Sequence, residues 1–90
     1  MKKTVKKIDA GSADRLQKIL GTFDENANLI MHELGVLIRV EGAAIIIEGA
    51  EEKVLQAESV VESLLILAEN GETVDKGRVD YCIELSLEGK

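Results

Sequence analysis

The 90-residue chain has no proline and no tryptophan, and only one cysteine, one histidine, one phenylalanine and one tyrosine. With Phe23 and Tyr81 as its whole aromatic content, its core must be aliphatic. A lone Cys82 rules out an internal disulfide and fits a reducing cytoplasm. Its spacing from Val79 and Ile83 reads as a core thiol rather than a nucleophile. A lone His32 joins Asp24 and Asn28 at i, i+4 and i+8, a polar helix face with too few committed ligands for a metal. Neither His32 nor Cys82 forms a nucleophile–base pair, and the carboxylates suggest no acid–base pair. No phosphate loop occurs: in the ending Gly89-Lys90, position 84 is Glu rather than Gly, and no hydroxyl residue follows. The expectation is a chain that is not an enzyme and carries no cofactor. No apolar run reaches the length of a membrane span. The start, Met1-Lys2-Lys3-Thr4-Val5-Lys6-Lys7, lacks the apolar stretch of a signal peptide.

What is present suffices for a single domain over residues 1–90, with an apolar fraction of 46%. The net charge of −6 argues against a dedicated nucleic-acid binder. The charge is uneven. Residues 1–18 hold Lys2, Lys3, Lys6, Lys7, Arg15 and Lys18 against Asp9 and Asp14, a net of +4, and the remainder is strongly acidic. Such asymmetry marks either a binding face or a solvated first strand.

Patterning gives seven elements without a linker. Thr4 to Ile8 reads as a strand on its β-branched residues. Ser12 is the N-cap of a first helix, with Ala13, Leu16, Ile19 and Leu20 on its apolar stripe, and Gly21 stops it. Asp24 reads as the cap of a second helix whose Ala27, Ile30, Met31 and Leu34 lie on one face. Gly35 ends that helix. Val36, Ile38 and Val40 share one strand face, and Glu41-Gly42-Ala43 turns the chain into a strand over Ala44–Glu48. The Ile45-Ile46-Ile47 run places this strand centrally, and Gly49 releases it. A long helix covers about Glu51 to Glu69, with Val54, Ala57, Val61, Leu64, Leu65 and Ala68 as its main stripe, widened by Val60 and Leu67. A last helix runs from Asp75 to about Leu87, with Val79, Cys82, Ile83 and Ser86 on one side. The expected fold is α+β: one three-stranded antiparallel sheet with helices packed on one face.

The turn Gly21-Thr22-Phe23-Asp24 is the one candidate site. The free N–H groups and the dipole at the start of the second helix attract phosphate, and glycine permits close approach. Asp24 opposes both, because its carboxylate would cap those N–H groups and repel an anion. The frame Gly21-x-x-Asp24-x-x-Ala27-x-x-Ile30-x-x-x-Leu34-Gly35-Val36-x-Ile38 resembles the KH pattern of a GxxG turn, a helix and a Gly-Val-x-Ile strand entry. The order β-α-α-β-β-α(-α) resembles the eukaryotic-type KH arrangement. More closely, Leu20-Gly21-Thr22-Phe23-Asp24-Glu25-Asn26, Leu34-Gly35-Val36, Ile45 to Gly49 and Val79-Asp80-Tyr81-Cys82-Ile83 resemble the N-terminal domain of PhoH-family proteins, over about residues 8–88. That resemblance implies a longer parent continuing into a P-loop ATPase domain, where ATP and magnesium would bind, linked to RNA metabolism and phosphate starvation. It implies an accessory module that contacts single-stranded RNA weakly through Gly21, Thr22, Phe23 and Asp24, helped by Lys6, Lys7, Arg15 and Lys18. The other reading is an interaction module, docking on the ATPase domain or another subunit and oligomerising through the parent. Apolar residues left over beyond one face, Leu37, Leu55 and Leu67, favour it.

Overall fold

A computed structural model of the chain describes residues 3–88. Strand β1 (Lys3–Asp9) leads into helix α1 (Ala13–Leu20), a 3-10 turn (Thr22–Asp24) and helix α2 (Glu25–Leu34). Strands β2 (Leu37–Glu41) and β3 (Ala44–Ala50) form a hairpin. Helices α3 (Glu51–Glu69) and α4 (Lys76–Leu87) close the chain. The sheet order is β1-β3-β2, with both pairings antiparallel. The α+β class, the order of elements and the central place of the isoleucine-rich strand are as the patterning predicts.

The register explains the two faces of the sheet. Ile8, Ile45 and Val40 lie across from one another, as do Lys6, Ile47 and Ile38. Ile45 and Ile47 join the core with Val54, Ala57, Val61 and Leu64 of α3, so this is the helix-covered face. Lys3, Val5 and Lys7 of β1, and Leu37 and Arg39 of β2, point the other way, because successive strand residues alternate. On that open face Glu48 pairs with Lys3 at 3.6 Å and Arg39 at 3.9 Å, and Lys7 pairs with Glu41 at 3.7 Å. Ile46 is buried there all the same, between its register partners Lys7 and Arg39, whose aliphatic stems can cover it.

Local signals set most element ends. Ser12 Oγ accepts from Arg15 N–H at 3.1 Å, and Asp75 Oδ1 accepts from Arg78 N–H at 2.9 Å, so both caps form. Gly35 adopts φ +70° and returns its N–H to the Met31 carbonyl, closing α2.

Several expectations need correction. Gly49 lies inside β3 rather than releasing it, since the strand keeps pairing with β1 as far as Ala50. Val36, Ile38 and Val40 do share the helix-covered face, but Val36 precedes β2 and Val40 is exposed on that edge strand. Ala13 is exposed at the first turn of α1, while Leu16 and Ile19 enter the core. Leu65, Leu67 and Cys82 are half-buried at the edge of the helix layer, not core residues.

Candidate functional site

The Gly21 turn is built by an unusual backbone. Gly21 ends α1, its N–H donating to the Gln17 carbonyl at 3.0 Å, with φ +81° and ψ 175°. That region is open to glycine and almost closed to other residues. A Cβ at Gly21 would also meet Asn26 Cγ and Nδ2 at 2.9 Å. Phe23 and Asp24 follow with φ of +54° and +58°, two consecutive left-handed residues that are not glycine. For Phe23 this conformation costs about 1–2 kcal/mol, and less for Asp24, whose short polar side chain tolerates it better.

Asp24 therefore does not cap α2 as expected. In the left-handed conformation its side chain makes no cap hydrogen bond; the turn is closed instead by Asp24 N–H to the Gly21 carbonyl at 3.2 Å. Asp24 also lies outside α2, so it does not extend a helix face with Asn28 and His32. His32 Nδ1 lies 3.1 Å from Glu33 Oε2 on the exposed side of α2.

Asn26 holds the turn in place. It is 1% exposed, and its Nδ2 donates to the Ile19 carbonyl at 3.1 Å and the Val74 carbonyl at 3.2 Å. One side chain thus ties the end of α1 to the loop between α3 and α4. Its Oδ1 is buried without a hydrogen-bond partner among the described residues. Sequence reasoning missed this residue, although a signal was available. Asn26, Ile30 and Leu34 stand at i, i+4 and i+8, so a polar residue occupies a core row of α2.

Between α1, the turn and the α3–α4 loop lies an open cleft of about 1380 Å³. Its lining carries the carboxylates of Asp14, Asp24, Glu25, Glu72 and Asp75 against the single ammonium of Lys18. Of the expected site residues, Gly21, Thr22, Phe23, Asp24 and Lys18 are brought together here; Lys6, Lys7 and Arg15 do not line the cleft. Lys6 and Lys7 are neighbours in a strand and face opposite sides of the sheet. Lys7 is engaged by Glu41, and Arg15 by Glu69 at 4.0 Å. Phe23, at the tip of the turn, is 95% exposed.

Beside the cleft, Glu72 Oε1 accepts from Arg78 Nη1 at 2.6 Å; this hydrogen bond and the charge of Glu72 raise the Arg78 pKa. Burial pushes the Cys82 thiol up from its ordinary value. Among the described residues no group of three or more His, Cys, Asp or Glu is placed to hold a metal ion, and no helix is long and apolar enough to cross a membrane.

No protein-family model matches the chain, and no curated protein matches its sequence. A crystal structure of a protein of unknown function from Aeropyrum pernix superposes with a TM-score of 0.74 at 15% identity, over 98% of this chain and 49% of the other. The chain thus spans about half the length of that neighbour, and at this identity the likeness concerns the fold.

Proposed function

We propose that the chain is a non-catalytic interaction module that docks on a larger partner through the Gly21–Asp24 turn, with Phe23 as the anchor. The partner we favour is the ATPase domain of a PhoH-like parent protein. The observation that carries this reading is the position of Phe23. The only phenylalanine of a chain nearly devoid of aromatics is left in water on a strained turn. Large aromatic side chains dominate the energetics of protein interfaces, and local strain concentrates at functional sites. The acidic lining beside Phe23 favours a partner pocket rimmed by Lys or Arg.

The weak RNA-binding reading keeps one observation in its favour: an exposed aromatic ring on a glycine-initiated turn at a helix start can stack on a base. Against it, five acidic residues line the cleft beside the turn, and the β1 lysines lie elsewhere.

Amide hydrogen exchange on the domain, alone and joined to the ATPase domain of the proposed parent, separates the two readings. Docking predicts slower exchange at residues 22–25 in the joined protein, lost in Phe23→Ser. Equal exchange in both forms, together with salt-dependent binding of a labelled single-stranded RNA that weakens in Lys18→Glu, would replace docking with the RNA reading.

A further inference from the structure

We propose that the groove between α3 and α4 seats a basic amphipathic helix of a partner protein. This groove, of about 400 Å³, is lined by Ser63, Ile66, Leu67, Arg78, Tyr81 and Cys82. It is separate from the Phe23 cleft, and the Glu72–Arg78 ion pair stands between the two, Glu72 lining the cleft and Arg78 the groove. Ile66 is 57% and Tyr81 62% exposed, which is high for large apolar side chains facing each other across one depression.

The charges around the groove select the occupant. Glu62 is exposed one helical turn before Ile66, and Glu84 is exposed one turn after Tyr81, so each wall of the groove carries a carboxylate beside its apolar residue. The one cation in the lining, Arg78, is already engaged by Glu72. An apolar floor inside an acidic rim is complementary to apolar residues at helical spacing flanked by Lys or Arg. The walls are two helices, whose backbone groups bond within themselves, so an extended peptide would find no ladder to join. An incoming helix satisfies its own backbone and needs only side-chain contact. A second copy would set the same acidic rim against itself in a two-fold contact, and an RNA or an anionic lipid surface would meet carboxylates with phosphate.

The test uses the 15N-labelled protein and a synthetic amphipathic helix of Leu and Lys, with a Leu/Glu helix of the same spacing as control. The Leu/Lys helix should bind in the micromolar range, shift the amide signals of Ser63, Ile66, Leu67, Tyr81 and Cys82, and slow alkylation of Cys82 by iodoacetamide. The double variant Ile66→Ser, Tyr81→Ser changes two exposed side chains and should weaken binding at least about tenfold, as removal of interface anchors does. Leu37→Ser, on the open sheet face, should bind as the parent does, and the Leu/Glu helix should not bind. The proposal is overturned by unchanged affinity in the double variant, by shifts spread over the acidic surface without the groove, or by sedimentation showing that the protein pairs with itself through this face.

Discussion

Replacing Asn26 by alanine should loosen the connection between the turn and the α3–α4 loop. The side chain is 1% exposed and supplies two hydrogen bonds, to the carbonyls of Ile19 and Val74. Each is worth about 1 kcal/mol net, and each carbonyl left behind loses its partner. Deleting the unpartnered Oδ1 at the same time returns part of this, so the expected loss is about 2 kcal/mol. A domain of this size has about 5–13 kcal/mol to lose. At a urea slope of about 1–2 kcal/mol per molar, the midpoint should fall by roughly 1–2 M. Urea unfolding followed by far-UV circular dichroism measures this. A loss under about 0.5 kcal/mol would refute the role of the two bonds, because either alone should exceed it. Asn26→Asp sharpens the test by keeping the shape while turning the donor into a carboxyl facing two carbonyl oxygens. Burial and those oxygens disfavour the charged form, so the introduced carboxyl has a raised folded-state pKa. Its protonated form can still donate. The variant should therefore be most stable in acid and lose stability as pH climbs through that raised pKa, relative to the parent protein. Relative stability that does not depend on pH would show that the site is wetter than the geometry implies.

Gly21→Ala should destabilise by about 1–3 kcal/mol, because φ +81° with ψ 175° excludes a side chain and the new Cβ would press on Asn26; the same urea titration reads it. Asp24→Gly should raise stability by about 0.5–1 kcal/mol, since glycine relieves the left-handed strain and no cap hydrogen bond is lost; a loss would mean that the carboxylate has an unseen partner. Ile30→Ala should lose about 2–5 kcal/mol as a large-to-small change in the core; under about 0.5 kcal/mol would place Ile30 outside it.

The fold is legible where periodicity is strong. The long helix runs from Glu51 to Glu69 as its stripe implies, and the triple isoleucine marks the central strand. Less of the site could be read. Asp before a helix usually caps it, and nothing local announces that Gly21 turns the chain so that Phe23 and Asp24 both become left-handed. Lys6 and Lys7 look like one basic patch in a linear sequence, yet strand alternation alone sends them to opposite faces. Of the three leucines that the pattern leaves over, Leu37 and Leu55 are exposed and Leu67 is half-buried against the core. The groove between α3 and α4 was beyond reach, because it depends on how two helices lie against each other and not on either one's pattern.

A three-stranded sheet has two unpaired sides. Among the described residues only β3 has strand neighbours on both, so β1 and β2 each have one edge without a strand partner. Such edges invite another chain to add itself, and lysines are a common guard. In a symmetrical antiparallel meeting of two β1 strands, centred on the middle residue of Lys3–Asp9, Lys6 would stand against Lys6. Like charges opposed across a ladder are repelled. The cationic first strand would therefore oppose this pairing of its own copies, whatever else its lysines meet.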